Sequence, residues 1–204
     1  AAGGFVYAFD AQSRAVKEIQ FREAGAFLWQ TFLEQVIYSS PAIGDVLSSN
    51  QGLEVVIGSG CWHPIGSTNK VGKWVKILRL SDGAVLSTLT APACLRSSPA
   101  LGDIDNDGKL EVVATVTGAT EFGGSGRSKV IAWDPDTGSQ KWSFEPNDAN
   151  LPAGSAAGND PHGDDIQSPV IADLDGNGSL EVVVANVWTG HVVRGDTGAA
   201  LTCQ

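Results

Sequence analysis

Ser97-Ser98-Pro99-Ala100-Leu101-Gly102-Asp103 opens a stretch that continues Ile104-Asp105-Asn106-Asp107-Gly108-Lys109-Leu110-Glu111-Val112-Val113-Ala114, and the chain writes it three times. Upstream it reads Ser39-Ser40-Pro41-Ala42-Ile43-Gly44-Asp45 and closes with Leu53-Glu54-Val55-Val56-Ile57. Downstream it reads Ser168-Pro169-Val170-Ile171-Ala172-Asp173 and closes with Leu180-Glu181-Val182-Val183-Val184. Successive copies are offset by 58 and 70 residues. Self-similarity at such a spacing is the mark of a repeat architecture, and it decides the fold before any single segment does.

A second unit alternates with the first. Phe5-Val6-Tyr7-Ala8-Phe9-Asp10 resembles Val130-Ile131-Ala132-Trp133-Asp134, and weaker copies run over 75–80 and 191–194. Each leads into a polar turn: Ser81-Asp82-Gly83, Asp136-Thr137-Gly138 or Asp196-Thr197-Gly198. Valine-rich and aromatic runs bounded by Asp/Gly turns are strand–turn–strand units. One whole repeat therefore predicts four strands in a meander, which in the second copy fall near 97–102, 110–116, 129–133 and 140–144. Four short antiparallel strands per repeat are the blade of a β-propeller. The continuous apolar runs after each Leu-Glu fit sheets covered on both faces; a β-sandwich is the runner-up.

The expected fold is all-β, with residues 1–204 forming one partial propeller of about three and a half blades. A leading half blade is expected over 4–21 and whole blades over 39–90, 97–145 and 168–204. Phe27, Leu28, Phe32 and Val36 recur at near-helical spacing, which predicts a short helix within 22–38. Propellers close with about four to eight blades, so further blades from the same or another chain are expected partners.

Composition narrows the function classes. Thirteen basic against 23 acidic residues give a formal net charge of −10, which disfavours nucleic acid as a partner. No apolar run approaches the roughly 18 residues of a membrane-spanning helix. Cys61, Cys94 and Cys203 lack Cys-x-x-Cys spacing, which gives a zinc site little support. In an oxidising compartment Cys61 and Cys94 can bridge two loops; three unpaired thiols are the equal alternative.

The turn after the repeated Pro-Ala-Leu-Gly carries the chemistry. Asp103, Asp105, Asp107 and Glu111 occupy positions 1, 3, 5 and 9 of the loop, with Gly108 at position 6. The third copy offers Asp173, Asp175, Asn177 and Glu181, with Gly178 at position 6. Alternate residues of a tight loop converge, position 7 (Lys109, Ser179) can add its carbonyl, and the result is an all-oxygen cage suited to Ca2+. So many carboxylates in nine residues repel one another unless a cation neutralises them. Two Ca2+ sites are expected. The first copy, Asp45 to Glu54, is one residue longer and lacks the inner carboxylates, so no metal is expected there.

This arrangement resembles the FG-GAP (VCBS-type) repeats of integrin α-subunit propellers and of many secreted bacterial proteins. The resemblance rests on Pro99 through Val113 and Pro169 through Val183, and it implies structural calcium at the matching loop positions and a secreted or cell-surface location. The unit from Val130 to Trp142 is similar, more weakly, to the tryptophan-docking repeats of quinoprotein propellers.

In a meander the A–B and C–D turns share one face, and the longer connections 58–73, 117–128 and 145–167 fall on the other. Variable loops on a rigid scaffold carry recognition, so a protein or glycan ligand is expected on that second face. Asp160-Pro161-His162-Gly163-Asp164-Asp165 reads as a polar loop rather than an acid/base cluster, and Trp62 as packing rather than a sugar platform. Arg194-Gly195-Asp196 reads as turn chemistry rather than an adhesion tripeptide. No catalytic residue is assigned: the Gly-x-Ser-x-Gly, His-Glu-x-x-His and phosphate-loop patterns are missing. The sequence favours a calcium-stabilised adhesion or binding scaffold. The alternative is part of a propeller enzyme such as a polysaccharide lyase or a quinoprotein-like dehydrogenase.

Overall fold

The computed structural model describes residues 5–9, 27–60, 72–95, 97–118, 127–146, 167–185 and 190–201. These contain thirteen strands and no helix. Strands β1 (Phe5–Phe9) and β2 (Phe27–Phe32) form an antiparallel pair. Strands β3 (Ala42–Gly44), β4 (Glu54–Gly58), β5 (Trp74–Arg79) and β6 (Val85–Thr90) form a four-stranded meander. A second meander contains β7 (Ala100–Gly102), β8 (Glu111–Val116), β9 (Lys129–Asp134) and β10 (Ser139–Phe144). The last sheet holds β11 (Val170–Ala172), β12 (Glu181–Ala185) and β13 (Gly190–Arg194), and a bridge between Val193 and Ala200 starts its fourth strand.

The expected meanders are present, and one expectation is corrected. Residues 27–32, inside the segment for which a helix was predicted, form strand β2, and the half blade extends to Phe32 rather than ending near 21. The reason is burial with period two. Trp29 and Leu33 point into the core while Leu28, Gln30 and Phe32 face out, and β1 supplies the backbone partners that a lone helix would not need. The near-helical spacing of Phe27, Leu28, Phe32 and Val36 was a coincidence of an aromatic-rich strand.

Burial explains why the central strands do not alternate in polarity. On β4, Val55 and Ile57 pack with Trp29, Leu33 and Leu78 toward the half blade, whereas Val56 joins Val75, Ile77, Val112, Ala114 and Trp133 toward the next sheet. On β8, Val112 and Ala114 face back, whereas Val113 meets Val182, Val184 and Trp142. Each middle sheet is thus sandwiched between neighbours. Burying one such aliphatic side chain contributes about 1.5–3 kcal/mol.

The first strands β3, β7 and β11 are also spatial neighbours in that order. The repeated serines fix this. Ser40 N–H donates to Ser98 Oγ at 2.8 Å, and Ser98 N–H donates to Ser168 Oγ at 2.9 Å. The preceding serine works within its own blade: Ser39 Oγ accepts from Gly58 N–H at 3.1 Å, and Ser97 Oγ accepts from Thr115 N–H at 3.0 Å. One serine of the pair ties strand A to strand B, and the other ties blade to blade.

Tryptophans close the outer edge. Trp29 Nε1 donates to Leu80 O at 2.8 Å and its ring lies on Gly83; Trp142 Nε1 donates to Gly195 O at 2.6 Å and its ring lies on Gly198. A Cβ on Gly83 or Gly198 would come within 2.3 or 2.7 Å of that ring. Between the two full sheets the equivalent position is Ser87, and among the described residues nothing packs on Gly138.

Candidate metal sites on the turn face

The A–B and C–D turns lie together on one face, as Ser48 N–H donating to Asp136 Oδ1 at 2.8 Å and Lys109 Nζ pairing with Asp136 Oδ2 at 2.9 Å demonstrate. The first loop aspartate organises each acidic loop. Asp103 accepts from the N–H groups of Asp107 at 3.0 Å and Gly108 at 2.9 Å. Asp173 accepts from Gly176 at 2.7 Å, Asn177 at 3.1 Å and Gly178 at 2.9 Å. Both loops turn through left-handed residues at positions 4 and 6: Asn106 and Gly108 (φ 60° and 87°), Gly176 and Gly178 (φ 74° and 88°). Position 6 was legible in the sequence. The Asn or Gly at position 4 was an available signal that went unused.

Two clusters result. Carboxylate oxygens of Asp103, Asp105 and Glu111 lie within 4.8 Å of one another, as do those of Asp173, Asp175 and Glu181. Either group could hold a metal ion. Two other expected ligands also brace the loop backbone: Asp107 Oδ1 accepts from Lys109 N–H at 2.9 Å, and Asn177 Oδ1 accepts from Ser179 N–H at 2.7 Å. The Lys109 ammonium is drawn off to Asp136, which holds the Asp136 carboxyl below its usual range.

The glutamate has a role that the sequence did not reveal. Glu54, Glu111 and Glu181 are all buried, and each accepts the N–H of the residue after the loop aspartate: Val46 at 2.8 Å, Ile104 at 3.0 Å and Leu174 at 2.9 Å. In the first loop Asn50 Nδ2 occupies the other oxygen of Glu54. In the second, Lys141 Nζ contacts both Asp105 Oδ2 and Glu111 Oε1. Burial pushes Glu111 above the ordinary glutamate range, although Ile104 N–H and Lys141 pull the other way. One carboxylate oxygen therefore closes the loop backbone, and the second is free to meet a polar or cationic partner.

The second copy matches the FG-GAP repeat over residues 96–131. The chain thus carries an FG-GAP repeat within a fold of the β-propeller type. Two solved structures show the same architecture. BamB from Moraxella catarrhalis aligns with a TM-score of 0.54 and 16% identity over 98% of this chain and 42% of its own. Rhamnogalacturonan lyase YesW aligns with a TM-score of 0.50 and 16% identity over 87% of this chain and 34% of its own. At that identity the likeness bears on fold, and the chain spans less than half the length of either structure. No curated protein matches the sequence.

Two other expectations meet the structure on the third blade and beside the first. Arg194 pairs with Asp196 through Nε–Oδ1 at 3.0 Å and Nη2–Oδ2 at 2.7 Å, while buried Gly195 donates to Leu180 O at 2.9 Å. The ends of the Arg-Gly-Asp tripeptide thus neutralise each other inside a turn. Cys94 is disulfide-bonded. Cys61 and Cys203 lie outside the described residues, as do Trp62, 160–165 and most of the loops expected to bind ligand.

Proposed function

We propose that this FG-GAP chain is a calcium-stabilised propeller scaffold, extracellular or surface-exposed, that presents a protein or glycan ligand to the loops opposite its metal sites. The observation that carries the reading is the convergence of two aspartates and a buried glutamate at the same place in two successive blades. The residues present fit the ion: a hard, all-oxygen set on a flexible turn suits Ca2+, which commonly accepts six to eight oxygens. Asp103, Asp105 and Glu111 would hold one ion, with Asp173, Asp175 and Glu181 holding the other. Asp107, Asn177 and the carbonyls of Lys109 and Ser179 complete the expected shells. Bound calcium would supply positive charge that offsets the repulsion among the carboxylates of each tip. A disulfide at Cys94 supports an oxidising compartment.

The outer face of the half blade supports a role for further blades. Phe5, Tyr7 and Phe32 are exposed there, and the Phe5 ring meets the other two in tilted contacts at 5.9 and 5.0 Å. The middle blades bury their apolar, mainly aliphatic sheet faces against a neighbour.

Calorimetric titration with calcium tests the reading. It predicts two ions per chain, one lost in Asp103→Ala/Asp105→Ala and the other in Asp173→Ala/Asp175→Ala; no binding at millimolar calcium would overturn it. The likeness to YesW favours a second reading, a portion of a polysaccharide lyase. New ultraviolet absorbance on incubation with an acidic polysaccharide would support that alternative, and none is expected from a scaffold.

A further inference from the structure

Within the metal reading above, on which this inference rests, the two FG-GAP loops differ in one respect that their own sequences do not contain. The C–D turns superimpose by chemistry. Gly83, Gly138 and Gly198 share φ near 70° (73°, 71° and 69°), and each donates its N–H to the carbonyl four residues earlier. Three residues beyond these glycines stand Leu86, Lys141 and Leu201. Blade 2 alone carries a cation there.

That cation enters the acidic loop. Lys141 reaches across from β10 so that its ammonium contacts Asp105 Oδ2 and lies 3.3 Å from Glu111 Oε1. Two of the three clustered carboxylates are therefore already engaged by an ammonium. The fit is incomplete, because Asp105 Oδ1 is buried and has no hydrogen-bond partner. A divalent ion with a larger coordination number can use an acceptor that an ammonium leaves idle. In blade 3 the same position, Leu201, lines a crevice of about 240 Å3 shared by the two acidic loops, together with Asp175, Asn177 and Glu181 and with Asp105 of blade 2. Arg194 also borders that crevice, but its guanidinium is bound by Asp196.

We infer that Lys141 is a built-in competitor for the cation of blade 2, so the two loops fill unequally. Blade 3 takes calcium first. Blade 2 takes it only by displacing the ammonium, and without metal its loop is held by Lys141 instead. The chain then keeps one acidic tip ordered at low calcium and gains the second as calcium rises.

The test is calcium titration of the full chain with one loop silenced. With Asp173→Ala/Asp175→Ala as background, only blade 2 can bind, and Lys141→Leu, which installs the residue of the other blades, should tighten binding about ten- to a hundredfold. Lys141→Gln keeps an amide donor without the charge, guards against a folding defect, and should tighten binding in the same direction. With Asp103→Ala/Asp105→Ala as background, where only blade 3 binds, Lys141→Leu should leave the affinity unchanged. Unaltered blade-2 affinity in both Lys141 variants, or an equal gain at blade 3, overturns the competition while leaving the metal reading intact. Absence of binding in every variant at millimolar calcium overturns both.

Discussion

At the scale of single residues, the buried glutamate is retained in all three copies of the loop, as is the aspartate that opens it. Aspartates at positions 3 and 5 disappear from the first copy, yet Glu54 remains, and it is fully buried. It accepts from Val46 N–H at 2.8 Å and from the Asn50 side chain, whose carbonyl oxygen in turn accepts from Arg79 Nε at 3.3 Å. Glutamate at this place is thus a loop fastener first, and in the proposed metal sites a ligand only where the inner aspartates join it. Glu54→Ala should destabilise the protein by about 2 kcal/mol, because it strands a buried N–H and an amide. The loss, read from urea melts, should be the same with calcium or with chelator. The sequence showed the acidic pattern but not this division of labour. A carboxylate's partner in the next turn and a lysine 30 residues along the chain, Lys141 beside Glu111, are tertiary facts.

At the scale of elements, blade contacts rely on pairs that sequence alone named only in part. The Asp/Gly turns and the valine runs were legible because turn chemistry and burial on both faces leave local marks. Strand β2 was not: six residues with Phe27, Leu28 and Phe32 satisfy a helical and an extended pattern equally, and only pairing with β1 decides. The glycines give a sharp test. Gly138 and Gly198 have nearly the same φ, 71° and 69°, but only Gly198 lies under a tryptophan ring. Gly138→Ala should cost about 1 kcal/mol for the left-handed backbone. Gly198→Ala should cost about 2–4 kcal/mol, since it also forces Trp142 from its seat. Equal shifts in thermal midpoint would show that Trp142 does not dock on this turn.

At the scale of the whole molecule, the serine links, the tryptophan seats and the glutamate-fastened acidic loops distribute stability along a row of sheets. Each sheet buries its faces against its neighbours, so loosening one acidic tip is felt at the interface beside it. Ile104, in the second loop, belongs to the same core as Val182 and Val193 of the next blade. The repeat and its period were readable from one sequence because each blade must solve the same packing problem. The recognition face was not, because loops that vary between blades carry no internal copy to compare. The account's central claim is that cations on the turn face hold the row together. Thermal unfolding in millimolar calcium, compared with unfolding in excess EDTA, tests it most directly. The account predicts a lower midpoint with EDTA, and a clear shrinking of that difference in Asp105→Ala and Asp175→Ala together. A midpoint indifferent to the chelator would contradict it.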